Sequence, residues 1–133
     1  MQKVLVFGTF DGLHLGHEDF LRQAAKFGRV FAIVARDQNV RKIKNRQPHF
    51  SERSRLAKLT RDSNVFAARL GDKKDFLKPV QKIRPDVICL GFDQKTFTLT
   101  ELKTKLKKIN LNPKIIRLKS FHPEKYKSSL LSK

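Results

Sequence analysis

Apolar residues along this chain fall into short dense runs, separated by longer segments in which apolar and charged positions alternate at helical spacing. Val4-Leu5-Val6-Phe7 is the first run and ends at Gly8. Val30-Phe31-Ala32-Ile33-Val34-Ala35 is almost unbroken, as expected of a strand buried on both faces of a parallel sheet. Asn64 to Ala68 predicts a short third strand, Val87-Ile88-Cys89-Leu90 a fourth ending at Gly91, and Ile115-Ile116-Arg117-Leu118 a fifth. Between them, His17 to about Lys26 predicts a helix with Phe20, Leu21, Ala24 and Ala25 on one face and Gly28 as its stop. Ser51 to about Arg61 predicts another. A weaker helix bends or starts near Pro79. Thr98-Leu99-Thr100-Glu101 has the spacing of a capping box and opens a helix carrying Leu102, Leu106 and Ile109, which Asn112-Pro113 ends. Tyr126 to Leu131 reads as the first turn of a final helix, and Arg36 to Arg46 as a solvated basic loop.

Strands alternating with helices predict right-handed βαβ units. The expected fold is α/β: a Rossmann-like open parallel sheet of about five strands with helices on both faces, a three-layer α/β/α arrangement. The length of 133 residues fits one domain, residues 1–133. Ligands of such sheets bind beyond the C-terminal ends of the strands. Gly8, Gly91 and the basic segment after the second strand all lead to that edge.

Composition narrows the chemistry. No run of eighteen apolar residues is present, so no membrane span is expected. Met1 to Phe10 runs directly into a strand pattern, and Cys89 is the sole cysteine, which excludes an internal disulfide and a Cys₂His₂ or Cys₄ zinc site. A reducing cytoplasm is the expected location. The net charge of +18 implies attraction to polyanions, whether phosphorylated small molecules, nucleic acid or anionic surfaces.

The segment Gly8-Thr9-Phe10-Asp11-Gly12-Leu13-His14-Leu15-Gly16-His17 lies where the first strand turns into the first helix. Backbone N–H groups and the helix dipole attract anions there. The segment is neither G-x-G-x-x-G nor a P-loop. His14 and His17, three apart, lie on the same side of a helix start, so both imidazoles can reach one anionic group while Gly16 admits its close approach. A helix N-terminus favours neutral imidazole donors over imidazolium. As a metal site the pair would need Asp11 or Glu18 as a third ligand, and no metal-binding residues are assigned. His49 and His122 have no motif around them.

This segment resembles the H-x-G-H signature of the nucleotidyltransferase superfamily, in its cytidylyltransferase-like form. The resemblance runs on through Ala35 to Lys44, Arg55, Leu90-Gly91-Phe92-Asp93-Gln94 and Tyr126-Lys127-Ser128-Ser129, and is closer to the archaeal-type FAD synthases than to the glycerol-3-phosphate cytidylyltransferases, which carry G-D-D-W where this chain has Gly91-Phe92-Asp93-Gln94. It implies transfer of a nucleoside monophosphate from ATP or CTP to a phosphorylated acceptor, FMN or glycerol 3-phosphate, with release of pyrophosphate. Mg²⁺ or another divalent cation would accompany the triphosphate, and a homodimer is implied.

The resemblance also implies residue roles. His14 and His17 would donate to the α- and β-phosphates. Lys44, and behind it Lys42, would balance the triphosphate together with Arg55. Gly8, Thr9, Phe10, Asp11, Leu15 and Gly16 would form the nucleotide turn, with Thr9 and Phe10 presenting backbone and hydroxyl groups. Gly91, Asp93 and Gln94 would meet the ribose and base, and Tyr126, Ser128 and Ser129 the triphosphate. Two alternatives stand beside FAD synthase: a cytidylyltransferase for a small phosphorylated alcohol, and a basic nucleic-acid-binding domain without turnover. The second fits less well, because the phenylalanines fall at core-like positions and not on a basic face.

Overall fold

The structure is a computed structural model, and it describes residues 1–13, 15–91 and 99–119. Ten elements follow one another: β1 (Lys3–Gly8), α1 (Leu15–Ala25), β2 (Arg29–Val34), α2 (Asp37–Lys44), α3 (Glu52–Thr60), β3 (Val65–Leu70), α4 (Lys78–Ile83), β4 (Val87–Leu90), α5 (Leu99–Lys108) and β5 (Lys114–Arg117). The strands form one sheet in the order β3-β2-β1-β4-β5, and every neighbouring pair is parallel. The expected five-stranded α/β fold is therefore the observed one.

Side chains of a strand point alternately to the two faces of its sheet. In the central strand, Val4 and Val6 join one core, where Val30, Ala32, Val87 and Cys89 meet Leu21 and Ala24 of α1 and Leu59 of α3. Leu5 and Phe7 join the other, where Ile33, Ile88 and Leu90 meet Val80 and Ile83 of α4 and Leu102 and Leu106 of α5. With cores on both faces, neither side of β1 can be polar, which is why its sequence reads as a continuous apolar run. Each such side chain contributes about 1.5–3 kcal/mol by leaving water. Burial also pushes the Cys89 thiol up to about 12, so this cysteine is an inert core residue.

Two sequence expectations need correction. Helix α1 begins at Leu15, ahead of His17, so His17 lies inside its first turn. The segment after β2 is not a loop: Asp37–Lys44 is a helix. It escapes hydrophobic periodicity because its polar sequence holds only Val40 and Ile43 as apolar positions, of which Val40 is 2% exposed. What secures its start is remote in sequence. Glu52 accepts the Asp37 backbone N–H at 2.9 Å and the Arg36 guanidinium at 3.0 Å. The Asp37 amide, with the Arg36 guanidinium behind it, holds the Glu52 carboxyl below its ordinary pKa, against the opposing effect of burial. At the other helix start near Pro79, proline sits in the first turn, where its missing N–H costs nothing. The capping residue Thr98 and the expected final helix over 126–131 lie outside the described residues.

Candidate active site

The strand order reverses direction at β1: β2 and β3 lie to one side, β4 and β5 to the other. The C-terminal ends of β1 and β4 therefore flank a topological switch point, where open α/β sheets bind ligands. Gly8 ends β1 and Gly91 follows β4, so the topology brings to one crevice two glycines that are far apart in the chain.

Beyond Gly8 the backbone turns sharply. Phe10 has a φ of 52°, an uncommon conformation for a bulky residue, and is only 3% exposed. Its ring stands edge-on to the His17 ring, with 5.6 Å between centroids, and near that of Phe20 at 6.4 Å. Burial of the ring holds the strained backbone in place, and the ring in turn braces His17. Beside the backbone that the resemblance expects Phe10 to present, its buried side chain forms the floor under the turn. Gly8 is required for that packing. A Cβ on Gly8 would lie 2.7 Å from Cε2 and 2.9 Å from Cζ of Phe10. Gly8→Ala is expected to destabilise the protein by about 1–3 kcal/mol through overpacking, read as a lower denaturant midpoint at unchanged slope.

The other side of the turn is clamped by Asp11, whose carboxylate accepts the backbone N–H groups of His49 at 2.7 Å and Phe50 at 2.9 Å. Burial acts to raise the Asp11 pKa, but these two donors and the nearby His49 and Arg55 outweigh it and hold the carboxyl below its usual value. Gly12 follows with a φ of 76° against the Phe50 ring. A depressed folded-state pKa means that Asp11 contributes stability above its unfolded pKa and loses it as pH falls through the folded one. Asp11→Asn should therefore cost stability at neutral pH, with the gap to wild type closing below about pH 4 in urea titrations. A gap independent of pH would contradict this.

Beneath the turn lies Arg55, with 0% of its surface exposed. Its Nη1 donates to the Thr9 and Ala35 carbonyls at 2.8 Å each, its Nε to the Phe50 carbonyl at 3.0 Å, and its Nη2 to Asp37 at 2.6 Å. Four of the five guanidinium N–H bonds are thereby used inside the protein. Direct neutralisation of a triphosphate, the role the resemblance implies, does not fit this burial. Arg55 instead holds together the exits of β1 and β2, the start of α2 and the entry to α3.

The candidates divide into three groups. The structure brings Gly8, Thr9, Phe10, Asp11, Leu15, Gly16 and His17 into one turn, with Leu15 48% exposed at its rim. Lys44 closes α2 as an exposed side chain without an ion-pair partner among the described residues, and Lys42 is likewise exposed. His14, Asp93, Gln94, Tyr126, Ser128 and Ser129 lie outside the described residues. Sequence reasoning missed Arg36, Asp37 and Glu52, because a half-buried ion network around Arg55 that joins two segments fifteen or more positions apart leaves no local pattern. Among the described residues no helix is long and apolar enough to cross a membrane, and no three His, Cys, Asp or Glu side chains cluster closely enough to hold a metal ion.

The sequence profile of cytidylyltransferase-like proteins matches residues 5–133. The chain belongs to the cytidylyltransferase-like family. Two FAD synthases resemble it over nearly its whole length. That of Thermoplasma acidophilum is 39% identical over 134 aligned positions, covering 100% of this chain and 93% of the relative. That of Methanobrevibacter smithii is 39% identical over 134 positions, covering 97% and 86%. A solved structure described as a lipopolysaccharide core biosynthesis protein from Thermoplasma volcanium superposes with a TM-score of 0.86 at 39% identity, covering 91% of this chain and 98% of that one. This cytidylyltransferase-like protein is a nucleotidyltransferase. The alternative of a nucleic-acid-binding domain without turnover is set aside.

Proposed function

We propose that this nucleotidyltransferase is an FMN adenylyltransferase, joining AMP from ATP to FMN to give FAD. The observation that carries the assignment is the match to FAD synthases along essentially the full chain, with the H-x-G-H turn at the sheet's switch point. In the reaction a phosphate oxygen of FMN attacks the α-phosphorus of ATP. The bond from that phosphorus to the oxygen bridging it to the β-phosphate breaks, and pyrophosphate leaves. No covalent enzyme intermediate is required, so catalysis rests on alignment and on stabilising the charge that develops on the bridging oxygen.

The residues divide this work as follows. His17, braced by Phe10 in the first turn of α1, donates to the phosphates with His14, and the N-terminal dipole of α1 adds to the attraction. Gly16 lets the nucleotide approach the backbone, and Gly8, by admitting the Phe10 ring beneath it, shapes the turn that receives it. Lys44, an exposed cation on α2, meets the triphosphate, and Lys42 stands beside it in sequence. Gly91, Asp93 and Gln94 serve the nucleoside, and Tyr126, Ser128 and Ser129 the triphosphate. Arg55 and Asp11 keep the turn in shape without touching the nucleotide. The divalent cation enters as the chelate of the triphosphate, in keeping with Mg²⁺ bound chiefly through substrate phosphates and water.

Turnover of FMN and of glycerol 3-phosphate, each with ATP and with CTP in the presence of Mg²⁺, tests the assignment. FAD formed from FMN and ATP is the expected product, detected by chromatography with pyrophosphate release. Turnover with CTP alone and no use of FMN would instead assign a cytidylyltransferase for a small phosphorylated alcohol.

A further inference from the structure

Each strand of a parallel sheet ends, at the ligand edge, in carbonyl oxygens that point onward toward whatever binds there. Backbone pairing here continues one residue past the strands: Ala35 N–H bonds to the Gly8 carbonyl, Gly71 N–H to Val34 and Leu118 N–H to Leu90. The next carbonyls, those of Thr9, Ala35, Gly71 and Gly91, lie beyond the ladder. Each accepts from an arginine. Arg55 covers Thr9 after β1 and Ala35 after β2, at 2.8 Å each. Arg36 covers Gly71 after β3 at 2.7 Å through Nε, and Arg117 covers Gly91 after β4 at 2.7 Å through Nη1. Four adjacent strand exits thus meet three guanidinium groups drawn from three different elements or their caps.

An edge of uncovered carbonyls carries partial negative charge and would repel a triphosphate. Charge-assisted hydrogen bonds from guanidinium groups cancel that charge and fix the loops that leave the strands. A planar fork can also serve two carbonyls at once, as Arg55 does, which an ammonium point charge serves less well. We propose that Arg36, Arg55 and Arg117 are positioning residues for the nucleotide, converting the carbonyl edge of the sheet into a surface that accepts an anion. Within this row Arg117 holds the wall of the switch-point crevice at Gly91, facing Gly8 across β1 and β4. The inference rests on the reading of this edge as the nucleotide site. It adds three residues that the H-x-G-H motif does not contain, and gives Arg55 a role different from the one the motif's family suggests.

Arg117 is the most direct test, because its side chain is exposed and its loss leaves the core intact. Arg117→Met is expected to raise the KM for ATP about tenfold, the effect of losing one charge-assisted hydrogen bond. The KM for FMN and kcat should stay within about twofold, since only nucleotide binding is addressed. Arg117→Lys, which keeps a donor and the charge but not the fork, should fall between the two. Stabilisation of the acceptor-free protein against heat by MgATP reads the same loss without turnover. A wild-type ATP KM in Arg117→Met, or an equal rise in the KM for FMN, would overturn the proposal. Should the methionine variant fail to fold, the lysine variant carries the same comparison. Failure of the wild-type protein to make FAD would count against FMN as acceptor, while the MgATP shift in the Arg117 variants would still judge the arginine row.

Discussion

Replacing His17 with alanine is expected to lower kcat for nucleotidyl transfer roughly a hundred- to a thousandfold, the usual consequence of removing one preorganised donor to developing negative charge. The fold supplies the reasons for so large an effect. His17 occupies the first turn of α1, at the switch point of the sheet, where backbone amides and the helix dipole already favour an anion. Its ring stands against Phe10, a residue held under Gly8 with almost no exposure, so the donor has little freedom to relax. The stability cost should be small by comparison, about 1 kcal/mol from the lost ring contact. A steep fall in kcat at a nearly unchanged unfolding temperature is the expected signature, with calorimetry and initial rates measured on the same preparation. Retention of full activity would remove His17 from the reaction.

Arg55→Met should show the opposite pattern. The side chain is fully buried and donates to three carbonyls and to Asp37. Methionine fills much of the volume but satisfies none of these groups, and it strands the Asp37 carboxylate beside them. Breaking a buried charged network by removing one partner typically costs about 3–5 kcal/mol. In a chain of 133 residues this is a fall of roughly 10–20 °C in unfolding temperature. Activity of the fraction that remains folded should drop as well, because Thr9 and the start of α2 lose their common anchor. Arg55→Lys should rescue little of the stability, since one ammonium cannot reach carbonyls on both strand exits in the geometry of a fork. A stable Arg55→Met protein lacking only triphosphate affinity would restore the direct phosphate role.

The contrast between these two arginine and histidine positions shows how much was legible in advance. The strands were readable because burial on both faces leaves them no polar positions: Val4 to Phe7 and Val87 to Leu90 appear in the sequence almost as they appear in the sheet. The H-x-G-H turn was readable because its chemistry is local, with two donors and three glycines within ten residues. Helix α2 was not. Its eight residues are mostly polar, and the carboxylate that secures its start comes from Glu52, fifteen positions away from Asp37. Arg55 was visible as a charge near the site but not as a buried one, because the carbonyl of Thr9 lies 46 residues earlier.

Sequence alone therefore determined the alternation of strands and helices, the two-sided burial of the central strands and the place of the glycine- and histidine-rich segment between β1 and α1, all of which follow from near-neighbour patterns of apolar, glycine and histidine positions. Tertiary structure decided what the charged residues do. A solitary arginine has the same sequence signature whether it lies in water or under a loop, and its destination depends on which carbonyls the chain brings to it. Here the parallel sheet presents four strand exits in a row, and Arg36, Arg55 and Arg117 reach them only once β2, α3 and β5 have been placed beside β1, β3 and β4.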